Sequence, residues 1–392
     1  MKKVLLYKSE LLHISETFIR EQILSYADWS ATLVGTRRVP GLSLDGLDIR
    51  LLDDPNPSRT ARIYARLLRR LDAANPHAVR LLRKEAATLV HVHFGTEAVD
   101  FWPIVRRLRL PMVVTLHGYD ITTHRAYWEA GAGGPARALY PGRLIKMARS
   151  PWVHFIAVSE AIRQRAIDYG IPADRIRVEY IGIDPSLFRA DGPPLLGRRP
   201  RILYVGRLVE KKGVAYLIEA FAKVRAHVPD AELVIVGDGP LRQQLETLAS
   251  RVAVPVQFAG SMERDGIRRQ LDEARVFCLP SVTAQNGDAE GFGLVLLEAQ
   301  ASGIPVVTSA QGGAQEGIIE GITGLSFAER DTNALAQHLT TLLTDDDRVA
   351  RMSVAAREFV RRKFDLHACT RSLERAYDGI CEISAPPRTA VR

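Results

Sequence analysis

Cysteine is scarce in this sequence: its 392 residues include three, Cys278, Cys369 and Cys381, and none of them forms a CxxC pair. This scarcity argues against a zinc framework or a disulfide scaffold and favours a reducing compartment. Long hydrophobic runs are lacking too. The apolar run at the N-terminus stops at Lys8, whereas a secretory signal needs roughly 7–15 apolar residues and a spanning helix about 20. We therefore expect a cytoplasmic protein.

The bulk composition is that of an ordinary folded chain. Hydrophobic residues make up 46% of the sequence and charged residues 25%, which excludes collagenous, low-complexity and largely disordered proteins. No repeat of 20–50 residues is evident, so a solenoid is disfavoured. Because compact units usually hold about 100–200 residues, we expect two domains, or three.

The net charge is distributed unevenly. The chain carries 53 Lys and Arg against 45 Asp and Glu, a formal charge of +8. Residues 1–190 contain 28 basic and 19 acidic side chains, and residues 191–392 contain 25 and 26. The positive excess therefore belongs to the first half. The halves meet at DGPPLLGRRP, residues 191–200, whose Pro and Gly content predicts a linker.

Short apolar runs alternate with stretches of helical periodicity in both halves. Continuous apolar strands separated by helices predict parallel sheets covered by helices on both faces. We expect an α/β fold in which two doubly wound domains, residues 1–190 and 201–392, face each other across a cleft. The last helical pattern, residues 331–380, either packs outside the second sheet or crosses back to the first. Strands are predicted at residues 4–7, 31–34, 89–94, 112–116, 155–158, 176–180, 202–205, 233–236, 256–258, 276–279 and 305–308.

The segment GRLVEKKG, residues 206–213, follows an apolar strand and precedes a helical pattern. Gly206 permits a sharp turn, and Arg207 and Lys212 then lie beside a helix start, where free amides and the helix dipole favour an anion. An Arg fork and a mobile Lys together suit a diphosphate. A solvated basic turn explains the spacing equally well. The junction VIVGDGP, with Gly237, is either a ligand loop or a tight connection.

The most informative segment is DAEGFGLVLLEAQASGIP, residues 288–305. A glycine-flanked loop leads into a short helix with Glu298 in its second turn among apolar neighbours, where a carboxylate needs a partner. The vicinal diol of a ribose would satisfy it with two hydrogen bonds. Glu290, in the loop, could face the other end of an extended ligand, and the amides of Gly293 and Leu294 could bind phosphate. Taken singly, each residue also fits a surface or helix-start position.

Polar residues follow three strands of the first half. HVHFG ends one strand with His93, and LHGYD ends the next with His117 and Asp120. Histidines of buried strands are usually core residues, so His93 is either a core residue or a ligand-binding residue. His117 differs, because Gly118 turns the chain directly after it at the expected cleft. Ser15 and Glu16 suit a helix N-cap and first turn, and they also lie at the expected mouth of the cleft. No metal site is predicted, because no His and Asp spacing recurs.

Residues 58–86 combine many Arg side chains with an apolar stripe. Ile63, Leu67 and Leu71 recur at helical spacing among these arginines. A solvated helix face accounts for such a pattern. A basic amphipathic helix can also lie on an anionic membrane surface, which we favour over nucleic acid as the partner of the basic half.

The second half closely resembles the retaining, nucleotide-sugar-dependent glycosyltransferases of family 4, which have the two-domain GT-B fold. The motifs that carry this resemblance are VGRLVEKKG, VIVGDGP and EGFGLVLLEAQASGIPVV. In the first half, SETFIREQ, HVHFG and VVTLHGYDI are similar to the exopolysaccharide and colanic-acid branch. The region after the first strand departs from the glycine-rich loop that relatives often have, since it reads SELLHISETF.

The resemblance implies a role for each matching residue. Arg207 and Lys212 would bind the donor diphosphate and stabilise the charge of the leaving group, and Glu298 would bind the ribose. Glu290 would face the donor sugar, and His117 would contact the donor hexose. The other donor-side positions are Gly206, Gly237, Gly293 and Leu294, and the acceptor-side positions are Ser15, Glu16, His93 and Asp120.

The hypothesis is an enzyme that moves a hexose from a UDP- or GDP-sugar to a growing glycan. We expect this acceptor to be lipid-linked and to lie at the inner membrane face. Retention of anomeric configuration is expected, without a metal or other cofactor, in the biosynthesis of a cell-surface polysaccharide. The first rival is a same-fold enzyme acting on soluble sugars, an epimerase or a sucrose-type synthase. The second is a non-catalytic module that binds membranes or polyanions.

Overall fold

The chain folds as two compact units. The computed structural model describes residues 1–52, 59, 63–64, 67–68, 71–188, 194–309 and 311–384. The first unit comprises Met1–Ile181 and the segment from Leu366 onward, and the second comprises Gly182–Asp365. The boundary thus falls at Ile181 rather than at residue 190. Of the predicted linker, residues 191–193 lie outside the described part of the chain, and a 3-10 turn, Leu195–Gly197, follows them.

The first unit is built on a parallel sheet of seven strands. The order is β5-β3-β1-β6-β7-β8-β9, so the winding direction reverses between β1 and β6. Two further strands, β2 (Glu10–Leu11) and β4 (Arg37–Arg38), pair only with each other. The seven strands are β1 (Lys2–Tyr7), β3 (Trp29–Gly35), β5 (Asp48–Leu51), β6 (Leu89–His93), β7 (Met112–Leu116), β8 (Val153–Ala157) and β9 (Ile176–Val178).

Helices connect these strands in the right order for a doubly wound domain. β6 and β7 are buried at every position, as expected for central strands covered on both faces. The described helices of this unit are α1 (Thr17–Leu24), α2 (Pro76–Arg83), α3 (Gly95–Leu108), α4 (Tyr119–Thr122), α5 (Arg125–Glu129), α6 (Tyr140–Ala148) and α7 (Glu160–Tyr169), together with the C-terminal helix Leu366–Ser384.

The C-terminal helix packs against the sheet of the first unit. Leu373, Tyr377 and Ile380 lie on one helical face and join a core cluster that includes Trp29. On the same helix the buried Glu374 accepts three backbone N–H bonds through Oε1, from residues 27, 28 and 29, each at 2.9 Å. These bonds compensate the burial of the carboxylate and tie the helix to the start of β3.

The second unit repeats the plan with six parallel strands. Their order is β12-β11-β10-β13-β14-β15, and the winding direction reverses between β10 and β13. Ligands of such sheets bind at the carboxyl ends of the strands where the order reverses. The strands are β10 (Arg201–Val205), β11 (Glu232–Val236), β12 (Val256–Gly260), β13 (Val276–Leu279), β14 (Val306–Ser309) and β15 (Gly324–Phe327).

The described helices of the second unit are α8 (Val214–His227), α9 (Arg242–Arg251), α10 (Arg264–Glu273), α11 (Leu294–Ala301), α12 (Thr332–Thr344) and α13 (Asp346–Lys363), and we number the C-terminal helix α14. The pattern at residues 331–380 is therefore three helices rather than one. Asp345 separates α12 from α13 because its side chain accepts the Arg348 N–H at 2.9 Å and caps α13.

Four strands were missed in the sequence: the two-residue strands β2 and β4, and the longer strands β5 and β15. β5 carries charged residues and no fully buried one, and β15 begins with a glycine, so neither shows a continuous apolar run. No helix in the described part of the chain is long and apolar enough to cross a membrane. Much of the basic stretch at residues 58–86 lies outside the described residues. Of its apolar stripe, Ile63, Leu67 and Leu71 are exposed by half or more.

Candidate functional site

In the second unit, the loops after β10 and β11 interlock through their backbones. Gly206 N–H donates to Val236 O at 3.0 Å, and Leu208 N–H donates to Asp238 O at 2.9 Å. Gly237 has φ +135°, and a Cβ there would lie 1.9 Å from Gly206 O. Its own amide donates to Gly260 O at 2.8 Å. This close approach explains why a glycine is needed at position 237. A contact between Gly237 and the donor stays a prediction.

The basic turn of residues 206–213 holds its two key cations differently. The Arg207 side chain is exposed and has no hydrogen bond or ion pair among the described residues. Below it, the buried Tyr204 hydroxyl donates to Arg207 O at 3.0 Å and supports the turn. At the other end Gly213 has φ +65°, and a Cβ there would lie 1.8 Å from Pro280 O, so only glycine lets the turn close onto the end of β13.

The Lys212 side chain forms an ion pair with Glu290. Its Nζ lies 2.5 Å from Glu290 Oε2, and the two side chains are only 13% and 11% exposed. Ser281 Oγ donates to the same oxygen at 3.2 Å. Beside this pair, Lys211 Nζ lies 2.9 Å from Asp288 Oδ1. Two ion pairs therefore join the loop after β10 to the loop after β13.

The pKa of Glu290 is lowered despite its burial. Removal from water raises the pKa of a carboxyl group, but the charges of Lys212 and Lys211 and the hydrogen bonds from Lys212 and Ser281 outweigh this effect and lower the pKa of Glu290 to about 2. The side chain is therefore a carboxylate at neutral pH, and it keeps Lys212 oriented.

Helix α11 starts beside this pair. Gly293 precedes it with φ +85°, and a Cβ there would lie 2.8 Å from Leu279 and 3.7 Å from Glu290 Cγ. The amides of Gly293 and Leu294 have no partner among the described residues. Glu298 lies in the second turn and is half-buried, as expected from the sequence. Free amides, a helix start and the two basic side chains make this edge of the sheet suitable for an anion.

In the first unit, a buried lysine follows β1. Lys8 is 3% exposed, and its Nζ lies 2.8 Å from both Glu16 Oε1 and Glu97 Oε1. Burial lowers the pKa of a lysine, but the two carboxylates outweigh it and raise the pKa of Lys8. Its ammonium group also lies 4.5 Å from the centre of the Phe94 ring. Glu16 is thus engaged inside the protein.

The predicted helix start at Ser15 is wrong in detail. A 3-10 turn, Ile14–Glu16, precedes α1, and its N-cap is His13. Glu16 Oε2 accepts the His13 N–H at 3.0 Å, so the residue that closes the turn is Glu16, while Ser15 is exposed. An acceptor-side role for Ser15 remains a prediction.

Three histidines lie on β6 or directly after β7: His91 within β6, His93 at its end and His117 after β7. His93 Nδ1 is 3.0 Å from His117 Nε2, whereas His91 contacts the hydroxyl groups of Thr115 at 2.7 Å and Tyr377 at 2.6 Å. Burial lowers the pKa of all three imidazoles, so they are neutral at physiological pH. The structure thus brings ring nitrogens of His93 and His117 within hydrogen-bond distance, whereas both ring nitrogens of His91 contact hydroxyl groups.

Asp120 has a structural role that the sequence did not indicate. Its side chain is fully buried, Oδ2 accepts the Gly95 N–H at 2.8 Å, and Oδ1 accepts those of His117 at 3.1 Å and Gly118 at 3.0 Å. These bonds hold the loops after β6 and β7 together. Asp120 therefore positions the backbone of His117, and a direct contact with an acceptor is not favoured.

The sequence matches known families along most of its length. A model described as glycosyl transferases group 1 matches residues 192–359, and one described as Glycosyltransferase Family 4 matches residues 32–187. The amylovoran biosynthesis glycosyltransferase AmsK of Erwinia amylovora is 34% identical over 293 residues, which are 74% of this chain and 69% of that protein. The chain belongs to glycosyltransferase family 4.

Another relative of this glycosyltransferase matches over about half its length. The putative colanic acid biosynthesis glycosyltransferase WcaL of Escherichia coli K12 is 33% identical over 226 residues, 56% of this chain and 54% of that protein. Among solved structures, Anabaena Alr3699/HepE in complex with UDP and glucose has a TM-score of 0.77 at 21% identity, covering 96% of this chain and 99% of that one. Sucrose-phosphate synthase of Thermosynechococcus elongatus has a TM-score of 0.76 at 21% identity, covering 97% and 98%.

These solved structures establish the GT-B fold for this glycosyltransferase, with two Rossmann-like domains. Sequence reasoning missed Lys8, Glu97 and the pair of Lys211 with Asp288. A signal existed for Lys8, because a lysine directly after a buried strand needs a carboxylate partner. Which carboxylate it finds depends on α3, 89 residues away in the chain, as the separation from Glu97 shows.

Replacing Lys212 by Met should destabilise this glycosyltransferase in a pH-dependent way. The folded-state pKa of Glu290, about 2, lies below the unfolded value of about 4.3, so the ion pair adds stability above about pH 4.3 and loses it as pH falls towards 2. The loss at pH 7 should be about 3 kcal/mol. Urea unfolding from pH 7 to pH 3 should show the difference from wild type shrinking with acid.

Lys223→Met is the matched control, because Lys223 is an exposed lysine that bonds to the neutral side chains of Thr332 and Asn333. Its difference from wild type should be small and constant with pH. A Lys212→Met deficit that also stayed constant over this range would contradict a depressed Glu290 pKa.

Proposed function

We propose that this glycosyltransferase transfers a hexose from a nucleotide diphosphate sugar to a glycan acceptor of a cell-surface polysaccharide. The single observation that carries the proposal is the edge of the second sheet where its order reverses. There the loop after β10 carries the exposed Arg207 and the oriented Lys212, and the start of α11 carries the open amides of Gly293 and Leu294. These cations and amides support an anion-binding site at this edge.

Arg207 and Lys212 bind the donor diphosphate in this proposal. Breaking the anomeric C–O bond gives an oxocarbenium-like sugar and places negative charge on the leaving diphosphate, so preorganised cations opposite the leaving group lower the barrier. Lys212 can exchange its contact with Glu290 for one with a phosphate oxygen. Gly206 and Gly237 shape the turn that presents Arg207, and no metal is required for this step.

The remaining donor contacts follow from position. Glu298 binds the ribose hydroxyls, supported by its place one helical turn beyond the open amides of α11. Glu290, once released by Lys212, faces the transferred sugar. A contact of His117 with the donor hexose is proposed from the similarity of its motif to the family. Configuration is retained: the acceptor oxygen forms the new bond to the anomeric carbon, and its proton passes to an oxygen of the departing diphosphate.

The relatives support the choice of substrates. AmsK and WcaL are named for amylovoran and colanic acid biosynthesis, and a Mycobacterium tuberculosis relative, 36% identical over 214 residues, is named a GDP-mannose-dependent mannosyltransferase acting on a phosphatidylinositol monomannoside. The HepE structure holds UDP and glucose. We therefore propose a UDP- or GDP-sugar donor and a lipid-linked acceptor at the cytoplasmic face of a membrane.

A donor panel tests the function. Incubation with UDP-, GDP- and ADP-sugars should release nucleotide from one of them, and lipid extract from polysaccharide-producing cells should increase the rate and yield a glycosylated lipid. Chelation by EDTA should leave the rate within about twofold, because the proposed charge stabilisation comes from side chains. If no donor released nucleotide in the presence of extract, the proposed transferase activity would be contradicted. Transfer of the sugar to fructose would instead identify a sucrose-type synthase, and an epimerised nucleotide sugar would identify an epimerase.

Substitutions separate the site roles. Arg207→Ala should lower kcat by about 10²-fold or more, because it removes a cation from the leaving group. Glu298→Ala should raise the Kd for the free nucleoside diphosphate about tenfold or more by removing charged hydrogen bonds to the ribose. Arg251→Ala and Asp230→Ala, at exposed positions of the same unit, are the controls. Wild-type kinetics and affinity in Arg207→Ala and Glu298→Ala would overturn these assignments.

Peripheral membrane association is proposed for residues 58–86. The exposed apolar side chains of Ile63, Leu67 and Leu71 support it, together with the Arg content of the stretch. Flotation with vesicles containing anionic lipid should capture the protein, and 0.5 M salt should release it, because screening weakens surface electrostatics. Equal capture by neutral vesicles would remove the electrostatic argument.

A further inference from the structure

His93 has one ring nitrogen without a partner. The side chain is 1% exposed, its Nδ1 lies 3.0 Å from His117 Nε2, and its Nε2 has no hydrogen-bond partner among the described residues. The neighbouring His91 differs, since both of its ring nitrogens contact hydroxyl groups. Buried polar atoms are normally satisfied, so the orphaned nitrogen of His93 calls for an explanation.

The number of protons limits the possible arrangements. A neutral imidazole carries one N–H, and its other nitrogen is an acceptor. In one arrangement His93 donates from Nδ1 to His117 Nε2, and its own Nε2 is a bare lone pair. In the other, His117 donates from Nε2, and His93 must carry an N–H on its orphaned Nε2. The tautomer of one ring thus dictates that of the other.

The surroundings favour donation by His93. A buried N–H without an acceptor is among the rarest unsatisfied groups in proteins. The positive charge of Lys8 also lowers the pKa of both rings and so disfavours their doubly protonated forms. The Phe94 ring contacts both sides of this cluster: its centre lies 4.5 Å from the Lys8 ammonium group and 4.5 Å from the centre of the His117 ring.

The backbone holds both rings in this arrangement. Phe94, directly after His93, has φ +72°, a strained conformation for a residue other than glycine. Asp120 fixes the backbone of His117 through its amide, as described above. The backbone at the ends of both strands therefore fixes the contact between the two imidazoles.

We propose that His93 is a positioning residue that donates a hydrogen bond from Nδ1 to His117 Nε2 and so holds His117 as the Nδ1–H tautomer. His117, which is partly exposed, then presents a neutral N–H donor to an oxygen of the transferred sugar. This inference rests on the proposed function for its ligand, a neutral polyhydroxyl ring. This arrangement would make sugar binding specific, because an N–H donor in a fixed position binds only a sugar oxygen that can accept a hydrogen bond there.

The spectrum of the ligand-free protein tests the tautomer without any assay. Long-range ¹H–¹⁵N correlation on protein labelled at its 10 histidines distinguishes protonated from bare ring nitrogens, and His93→Asn and His117→Asn samples assign the signals. Both His93 and His117 should be protonated at Nδ1 and bare at Nε2. Protonation of His117 at Nε2 would overturn the proposal, whether or not the protein proves to be a transferase.

Kinetics test the consequence. Asn places an amide N–H near the position of the imidazole Nδ1, so His93→Asn should keep kcat within about threefold, whereas His93→Phe keeps the ring but loses the donor and should lower kcat by about tenfold or more. The KM for the donor should change less than kcat. The rate measured is nucleotide release from UDP-glucose and from the other donors of the panel.

His91→Asn is the matched control, because it alters the adjacent buried ring, which makes no hydrogen bond to His117 among the described residues. It should lower thermal stability without moving the His117 nitrogen signals or kcat by more than about threefold. Equal kcat in His93→Phe and wild type would overturn the positioning role, as would equal losses in His93→Asn and His93→Phe when both remain folded.

Discussion

The ion pair between Lys212 and Glu290 is the interaction on which the candidate site of the second unit depends. A carboxylate and an ammonium group that are each nearly buried cost several kcal/mol in desolvation, and only a close contact with further hydrogen bonds offsets this cost. Their loops follow adjacent strands, β10 and β13. The pair therefore stabilises this edge of the sheet and fixes the orientation of the Lys212 ammonium group.

The first unit solves the same physical problem at its own reversal point, between β1 and β6. Lys8 follows β1, Glu97 lies in the first turn of α3 after β6, and Glu16 completes the cluster. In both units a lysine after the first strand of the sheet, β1 or β10, forms an ion pair with a glutamate that follows the neighbouring strand, β6 or β13. The difference is that Arg207 adds an exposed cation in the second unit, whereas the histidine pair lies beside the cluster in the first.

Much of the fold could be predicted from the sequence, because buried parallel strands are continuous apolar runs. The exceptions have local causes: β5 has no fully buried residue, and β15 starts with a glycine. The donor-side residues could be proposed from the sequence because their motifs are contiguous, with Arg207 and Lys212 in one turn and Glu290 and Glu298 around one helix start. Sequence reasoning did not find the pairing of Lys8 with Glu97 or that of Glu374 with the start of β3, because the partners lie more than 80 residues apart in the chain.

The sequence by itself determined the alternation of strands and helices, the cationic turn and the glutamate segment, since these depend on residues close together in the chain. Tertiary structure alone decided which charges pair and that the Asp120 carboxylate accepts hydrogen bonds from backbone amides. It also decided that His93 contacts His117, whereas His91 contacts the hydroxyl groups of Thr115 and Tyr377. Those outcomes depend on which strand ends become neighbours. Sheet order brings them together, and local sequence carries no direct record of sheet order.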